Sequence, residues 1–450
     1  MKKIRIGGGA GYSGDRIEPA IEIMKKGDID YIIFECLAER TIALAQQQKL
    51  ADPDKGFNEL LEYRMEKALP ICTEKKIKVI TNMGAANPVS AARLVKDIAI
   101  RLGIANLKIA AVLGDDIYSD IDDYKDFNTL EYGNKLSEIK GEIISANVYL
   151  GAEGIQQALQ NGADIVITGR VTDPSLVIGP LLYEFGWKID DCDMLGKATL
   201  AGHLLECGAQ VTGGYFAEPG YKDVPDLWNV GFPIGEVYEN GDIIITKLAG
   251  TGGIVTTGTV KEQILYEIHD PSNYMTPDVN ADFSQVTVKE IEPDKVLITG
   301  ATGREKSGYY KTSIGYKDCY IVEAAISYGG SGALEKARLA GDIVQRRIQH
   351  TDLSFEELKI DYIGIDSLFQ SSTSDLSGKG SSCNEVRLRV AGRTTLKEDG
   401  IKIGNEVEAL YTNGPAGGGG VRININEIVS IASILIPEEN IETKITYEEV

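Results

Sequence analysis

The sequence predicts an α/β protein, with a parallel sheet and covering helices in the N-terminal half followed by a more β-rich α+β second domain. Two observations lead to this prediction. In the first half, short β-branched runs alternate with longer amphipathic stretches, which is the pattern of strand–helix–strand units. After about residue 219, short runs divided by Gly and Pro are typical of antiparallel strands and hairpins. We therefore predict domains at residues 1–215 and 216–450.

Six apolar runs account for the predicted parallel sheet, at residues 4–6, 31–34, 79–80, 109–113, 143–146 and 165–168. Helices are predicted at residues 88–102, at 152–160, after Pro174, and at 197–207. Asn87 followed by Pro88 indicates a helix start, because Asn caps helices and Pro suits their first position. Parallel strands end at one edge of a sheet, and ligands bind outside that edge. The loops after these runs are therefore where we expect a site.

The second half contains helical periodicity at residues 334–349 and 404–411, and a Ser-rich stretch at 371–382 predicts a mobile loop. Two Gly clusters lie beside these helices, at residues 329–332 and 414–420. The first cluster links an apolar run to a helix start, so it is a candidate for anion binding. Four successive Gly residues are costly to order. If that run is ordered, we expect Gly417 and Gly418 to contact a substrate closely; otherwise the run is a mobile loop.

Composition limits the partners of this chain. It has 450 residues and a formal net charge of −21, which repels nucleic acid and anionic membranes. Its six Cys show no CxxC spacing, so a reducing cytoplasm is expected rather than disulfide staples. No signal-peptide core is evident, and no apolar run approaches the ~20 residues of a membrane span. We expect a cytoplasmic homo-oligomer that acts on a small molecule.

A Gly-rich segment, GGGAGYSGDR at residues 7–16, follows the first predicted strand. From Gly9 to Gly14 it matches GxGxxG, the pattern that binds dinucleotides in NAD-dependent dehydrogenases. Asp15, however, places a carboxylate where the cofactor pyrophosphate would lie, so we expect neither NAD nor NADP to bind. No cofactor is predicted. A tight turn that requires small residues is the structural alternative.

The favoured interpretation of this segment is an anion site. Backbone N–H groups at Gly9, Gly11, Ser13 and Gly14 would bind a carboxylate or phosphate group of the substrate. Arg16 would add a charge-assisted hydrogen bond. An anionic small-molecule substrate is therefore expected here.

Polar residues also follow the other predicted strands, at Glu35, Asn82, Asp115, Asn147, Arg170 and Asp173. Carboxylates and amides that meet at one sheet edge suit acid/base chemistry or a divalent cation, so a metal ion stays open. Glu35 and Asp115 are the candidate catalytic carboxylates, and the other four are candidates for substrate binding. For each residue the alternative is a helix cap or a solvated loop. Asp173 precedes Pro174, so it either orients Arg170 or caps the next helix.

His203 is the third candidate for catalysis. His203, Glu206 and Cys207 are spaced so that one helix face would present all three. The chain has only three His, so a His-rich zinc site is excluded unless carboxylates complete it. Because His titrates near neutral pH, His203 is a candidate general acid or base, with a structural role as the alternative.

Several segments, in sequence order and across nearly the whole chain, resemble the acyclic terpene utilisation protein A family. The matching motifs are GGGAGYSGDR, Asn87-Pro88, ANVYLGAEGI, GADIVITGRVTDPS, GHLLECGAQVTGG and GPAGGGGVR. The third loop departs from the family pattern, with Met83-Gly84-Ala85-Ala86 where a Gly-rich stretch is expected. The resemblance implies an α/β protein connected with bacterial breakdown of branched acyclic terpenes through acyl-CoA intermediates. It also implies a small companion protein.

Two classes of function follow. The first is an enzyme of carboxylic-acid or acyl-CoA catabolism, a lyase or hydratase acting on a branched acyl substrate. Arg16 and Arg170 would hold anionic groups, and Glu35, Asp115 or His203 would move the proton. Such chemistry needs a base at carbon and an electrophile at the developing enolate, but no redox cofactor. The second class is a non-catalytic subunit or acyl-ligand binding protein of a catabolic complex, and an NAD-dependent dehydrogenase is the weaker alternative.

Overall fold

The computed structural model describes residues 1–368 and 383–450, so the Ser-rich stretch at 371–382 lies outside the described residues. The chain forms two compact units. The first comprises Met1–Ile139, Ile143–Gly315 and Ile431–Val450, and the second comprises Lys140–Glu142 and Tyr316–Ser430. Position 215, where the sequence predicted a domain boundary, lies inside the first unit, because strands on both sides of it join the same sheet.

Strands and helices alternate through the first half of the chain, and strands dominate later. The strands are β1 Lys3–Ala10, β2 Tyr31–Phe34, β3 Lys78–Thr81, β4 Lys108–Leu113, β5 Ile143–Val148, β6 Ile165–Thr168, β7 Pro233–Tyr238, β8 Ile243–Lys247, β9 Tyr274–Met275, β10 Asn280–Asp282, β11 Thr287–Glu292, β12 Lys295–Thr299, β13 Thr302–Arg304, β14 Tyr309–Gly329, β15 Glu357–Ile363, β16 Glu385–Thr394, β17 Gly418–Pro437 and β18 Lys444–Glu449. The helices are α1 Glu18–Lys26, α2 Glu39–Ala51, α3 Leu61–Lys75, α4 Pro88–Arg101, α5 Glu153–Gln160, α6 Ser175–Phe185, α7 Cys192–Glu206, α8 Thr257–Leu265, α9 Ala333–Gln349, α10 Lys397–Glu408 and α11 Leu410–Asn413.

A ten-stranded mixed sheet forms the framework of the first unit, in the order β11-β12-β8-β7-β1-β2-β3-β6-β4-β18. The five strands β1, β2, β3, β6 and β4 are parallel to one another. β7 lies antiparallel to β1, and β18 lies antiparallel to β4. The predicted α/β class with a parallel sheet in the first half is confirmed, as is the strand-rich second part.

The prediction that residues 143–146 belong to the parallel sheet was wrong. The run at 143–146 does form a strand, β5, but β5 pairs with β14 outside the ten-stranded sheet. Its backbone also runs beside the residues after β4, where Val148 N donates to Asp115 O at 2.7 Å and Ile117 N donates to Ala146 O at 3.0 Å. A short apolar run shows that a strand is buried, but it carries no information about which neighbour the strand pairs with.

The parallel strands are buried on both faces. Ile32 and Ile33 are neighbours in β2, yet they belong to different apolar clusters because successive side chains point to opposite faces of a sheet. Helices α1, α3 and α4 cover one face, and α5, α6 and α7 cover the other. Asn87 caps α4 by accepting from Ser90 N at 3.3 Å, as the sequence predicted.

The second unit contains a sheet in which the strands are ordered β15-β16-β14-β17. β16 pairs antiparallel with both β14 and β15. Apolar residues of α9 and α10, such as Ala337 and Ile403, form its core with strand residues such as Val390. The helix predicted at 404–411 begins earlier, at Lys397, and is followed by the separate turn α11. None of the helices in residues 1–368 and 383–450 combines the length and apolarity that crossing a membrane requires.

Candidate functional site

A cavity of about 700 Å³ opens in the first unit where the parallel strands end. Its wall includes residues that follow β1, β2 and β6, such as Ser13, Glu35 and Arg170. Parallel strands explain why segments so far apart in sequence meet there. The volume lies within the range of small-molecule sites, so this cavity is the candidate site.

The cavity wall mixes charged, aromatic and aliphatic side chains. The charged residues are five acids and two bases, namely Glu35, Glu39, Asp173, Glu206, Glu267, Arg170 and Lys311. The other large side chains are Tyr12, Tyr149, Tyr266, Tyr274, Tyr309, Leu37, Leu130, Met275, Pro277 and Leu435. Because acids outnumber bases, an anionic ligand is repelled unless some of these carboxyl groups carry protons.

Arg170 lies in this wall with only 1% of its side chain exposed. Its guanidinium donates from Nε and Nη2 to Val171 O, from Nη1 to Leu37 O, and from Nη2 to the Asp173 carboxylate. The Tyr149 ring centroid lies 4.5 Å from Arg170 Cζ. Most of the five N–H donors are therefore used within the protein. Arg170 is a fixed positive charge rather than an open fork, and Asp173 orients it.

Asp115 is 3% exposed and is not among the residues that line the cavity. Its Oδ2 accepts from Arg170 N at 2.9 Å and from Asn147 Nδ2 at 3.0 Å. Only Gly fits at position 169, since a Cβ there would lie 2.4 Å from Asp115 Oδ1. Burial raises the pKa of Asp115 to about 6. Asp115 and Asn147 therefore position the backbone that carries Arg170.

Glu35 lines the cavity and is 8% exposed. Its Oε1 accepts from Leu37 N at 2.8 Å and from Asn82 Nδ2 at 2.9 Å. Burial, and after it the Asp173 carboxylate, raise the pKa of Glu35 well above its usual range, although Arg170 opposes them. Its surroundings therefore favour the protonated form of Glu35, and Asn82 orients the carboxyl group.

Glu206 lines the cavity, whereas His203, one turn earlier in α7, does not. His203 Nδ1 lies 2.7 Å from Glu206 Oε1. Burial raises the pKa of Glu206 to about 7, although His203 acts in the opposite direction. Burial lowers the pKa of His203, but the charge and hydrogen bond of Glu206, with contributions from Gln263 and Glu267, leave it above its ordinary value. Glu206 therefore ionises near neutral pH, in contact with the His203 imidazole.

Glu39 behaves differently from these two carboxyl groups. It accepts a hydrogen bond from Tyr149 Oη and lies 3.3 Å from Lys311 Nζ. Burial alone would raise its pKa, but the Tyr149 hydrogen bond and the charges of Lys311 and Arg170 lower it to about 2. Glu39 therefore stays ionised at neutral pH and balances the basic residues of the wall.

Much of the Gly-rich segment is strand rather than loop. β1 runs to Ala10, so Gly9 lies inside the sheet, where a Cβ would come within 2.7 Å of the Phe34 ring. Gly7 and Gly8 are also closely packed, since a Cβ would lie 2.8 Å from the Ile23 side chain at Gly7 and 3.1 Å from Pro233 at Gly8. These glycines therefore serve close packing of the sheet.

Gly11 lines the cavity beside Ser13. A Cβ on Gly11 would lie 2.4 Å from the carbonyl carbon of Cys207, and its N–H already donates to Asp15 Oδ2 at 2.9 Å. Helix α1 begins only at Glu18. The GxGxxG frame thus lacks the helix start and the bare N–H group that a pyrophosphate requires.

Arg64, which was not predicted as a functional residue, anchors the Gly-rich segment at residues 7–16. It is 0% exposed, and its Nη2 donates to Ser13 O at 3.0 Å and to Asp15 O at 2.9 Å. Its Nη1 also lies 2.9 Å from Cys36 Sγ. The available signal was an Arg within an otherwise apolar stripe of α3.

Seven predicted binding residues do not line the cavity, namely Asn82 and Asn147, described above, and five others. Arg16 is 52% exposed, 3.7 Å from Glu18, and donates to Trp228 O at 3.3 Å. Gly9 and Gly14 do not line the cavity. Gly14 packs on Tyr12, which does line it. Gly417 and Gly418 lie in the second unit, at the start of β17.

The part of the chain that the structure describes contains no cluster of metal-binding side chains. Among those residues, no three His, Cys, Asp or Glu side chains are grouped so that they could hold an ion. Three of the carboxyl groups in the cavity wall, those of Glu35, Asp173 and Glu206, have pKa values raised by burial.

A family model described as "Acyclic terpene utilisation family protein AtuA" matches residues 4–447. The chain belongs to this family. The resemblance seen in the motifs is therefore confirmed, and it extends through both units. No curated protein and no solved structure matches the chain.

In this member of the AtuA family, the longest motifs supply the cavity. GADIVITGRVTDPS contributes Arg170 and Asp173, and GHLLECGAQVTGG contributes Glu206. In the sequence, Glu206 stood out only as a helical neighbour of His203, and Tyr149 only as a residue that follows the fifth apolar run. Lys311, in the strand-rich second half, carried no sequence signal.

Proposed function

We propose that this protein is an enzyme that adds or removes water at a branched acyl compound, a lyase or hydratase that uses carboxyl groups to move protons. The observation that carries the proposal is Glu35, a buried carboxyl group in the wall of a ligand-sized cavity. Its raised pKa favours the protonated form, in which the carboxyl group is a hydrogen-bond donor.

The hydrogen bonds of Glu35 determine where its proton would lie. Oε1 accepts from two N–H groups, so a proton bound to Glu35 is carried by Oε2. A protonated carboxyl group in an apolar surrounding can donate to a carbonyl oxygen and stabilise the enolate that forms there. Arg170 adds positive charge to the same wall.

The charges of the wall favour an acyl group that is not a free carboxylate. The donors of Arg170 are largely used within the protein, so a substrate carboxylate would compete with Asp173 and two backbone carbonyls for them. A thioester such as an acyl-CoA presents a neutral carbonyl instead. Leucine and tyrosine side chains line the rest of the cavity and suit a branched hydrocarbon chain, in keeping with the name of the family.

Paired substrates test this proposal. The N-acetylcysteamine thioesters of 3-hydroxy-3-methylbutanoate and 3-methylbut-2-enoate would be followed by NMR for loss or gain of water, with the free acids as controls. We expect turnover of the thioesters and a loss of about 100-fold or more in Glu35→Gln. Glu62→Gln, at an exposed Glu outside the cavity, is the matched control.

Two results would contradict the proposal. Full activity of Glu35→Gln would remove Glu35 from the reaction. Saturable thioester binding by calorimetry, with no turnover by the wild type, would favour the non-catalytic acyl-binding subunit instead.

A further inference from the structure

We propose that Glu206 is the base that exchanges a proton with the substrate in this cavity, and that His203 is its positioning residue. This inference rests on the proposed function, which requires a base at carbon but leaves it unassigned.

The first argument is the unpartnered oxygen of Glu206. The residue is 7% exposed and lines the cavity, and its Oε1 is held by His203 Nδ1. Its Oε2 is buried and has no hydrogen-bond partner among the described residues. A buried carboxyl oxygen in that state is costly unless it carries a proton or meets a ligand. A general base meets both conditions in turn, because it contacts the substrate when it is ionised and carries a proton after it has reacted.

The second argument is that His203 is fixed in place and does not reach the cavity. It is 2% exposed, and its ring packs against those of Tyr274 and Phe283, with centroid distances of 5.8 and 6.3 Å. Its carbonyl accepts from Gln263 Nε2 at 2.8 Å. The imidazole therefore acts on substrate only through Glu206, by holding Oε1 and supplying charge beside it.

The proposed step balances without a further reactant. The Glu206 carboxylate takes the proton from the carbon next to the acyl carbonyl, and the C–H electron pair forms an enolate whose oxygen accepts a hydrogen bond from Glu35. The enolate then expels hydroxide from the next carbon, forming the carbon–carbon double bond. Glu206 returns its proton to that hydroxide, which leaves as water. Hydration is the reverse sequence.

The surroundings of Glu206 set the expected pH dependence. Asp173, Glu267, Tyr274 and Cys207 face it in addition to His203, and the acids among them oppose its ionisation. Exchange of the acyl proton for deuterium should therefore rise with pH through about 7, where Glu206 ionises.

Substitutions at position 203 separate positioning from mere packing. Because His203 lowers the pKa of Glu206, His203→Gln, which loses the Nδ1 donor and the charge, should move this rise to higher pH by about one pH unit or more. His203→Asn keeps an amide N–H near the Nδ1 position, so it should restore part of the shift. A packing role alone would lower protein stability in both variants and leave the pH profile in place.

A ligand-free measurement keeps this inference separate from the proposed function. The chain has three His, so 15N-histidine labelling gives three imidazoles to follow by NMR, and His203→Gln assigns one of them. We expect His203 to titrate above the ordinary His value, and this titration to move down by about one pH unit or more in Glu206→Gln. An unchanged His203 titration would overturn the pairing.

The proposed role of Glu206 as the base is tested with the thioester substrate. Glu206→Gln should lose about 100-fold or more in deuterium exchange next to the carbonyl. If Glu206→Gln exchanges as fast as wild type while Glu35→Gln does not, the assignment of the base is overturned and the proposed function stands. If the wild type exchanges nothing although His203 and Glu206 are coupled, the proposed function fails and the inference fails with it.

Discussion

Arg170 is fully buried although it is permanently charged. This is possible because protein atoms accept hydrogen bonds from its N–H groups. Val171 O, Leu37 O and Asp173 accept from the guanidinium, and Asp115 holds its backbone N–H. The sequence singled out Arg170 because a charged residue directly after an apolar strand must find partners. It could not show that those partners are protein atoms rather than a substrate anion.

Arg170→Lys should be strongly disruptive. Lysine keeps the charge, but its three N–H donors share one nitrogen and lack the planar fork, so they cannot reach Leu37 O, Val171 O and Asp173 together. Leaving these buried acceptors unsatisfied should lower the free energy of unfolding by about 2–4 kcal/mol and abolish thioester turnover. Chemical denaturation and the NMR assay would measure both. Arg101→Lys, at an exposed surface pair, is the matched control, and equal behaviour of the two variants would refute the argument.

Asp115 should make stability depend on pH. Its pKa is raised by burial from 3.8 to about 6, so between these values the folded protein holds a proton that the unfolded chain has released. The stabilising contribution is complete below about pH 4 and is lost as the pH rises to about 6. Asp115→Asn, which keeps an acceptor for Arg170 N, removes this dependence.

Compared with wild type, Asp115→Asn should gain at most about 3 kcal/mol in free energy of unfolding between pH 4 and pH 7. Denaturation series at each pH would measure the difference, with exposed Asp97→Asn as control. A difference that is constant across this range would contradict the burial of an ionisable Asp115.

At the scale of elements, the segment after β1 illustrates what the sequence can and cannot convey. The apolar runs located β1, β2, β3, β4 and β6 well, because buried parallel strands are continuous apolar stretches. The GxGxxG frame was ambiguous, since close packing against Phe34 and Cys207 requires Gly as strictly as a pyrophosphate does. Only the three-dimensional neighbours distinguish these two causes.

The segment should not bind nicotinamide cofactors. The Gly11 N–H is taken by Asp15, and the space beside Gly11 is filled by Cys207. We expect no saturable heat of binding with NAD or NADP up to millimolar concentration. Micromolar binding of either one would restore the dehydrogenase alternative.

Arg64 should keep the backbone of residues 11–16 rigid. Arg64→Met keeps the volume but removes the donors to Ser13 O and Asp15 O. Amide hydrogen exchange at residues 11–16 should therefore become at least about tenfold faster, because the carbonyls that anchor the loop lose their partners. Peptides from α4, which Arg64 does not contact through these bonds, should be unaffected. Unchanged exchange at residues 11–16 would show that the loop is fixed by other contacts.

At the scale of the whole molecule, the fold class and family followed from the sequence, whereas the pairing of distant segments did not. The alternation of strands and helices and several long motifs were sufficient for the former. That β5 pairs with β14, and that β18 returns to β4, depends on contacts between residues more than a hundred positions apart. The homo-oligomer and the companion protein stay predictions, and light scattering of the purified protein would measure the first.

The placement of β18 has a consequence for biosynthesis. The first unit draws its final strand, Lys444–Glu449, from the far side of the segment that forms the second unit. While the ribosome translates that intervening segment, the outer edge of β4 has unpaired backbone groups and an apolar sequence. Such an edge is a template for pairing with other nascent chains. Chaperone binding to the unfinished chain should therefore persist until β18 emerges, and a frameshift late in the message would leave that edge bare.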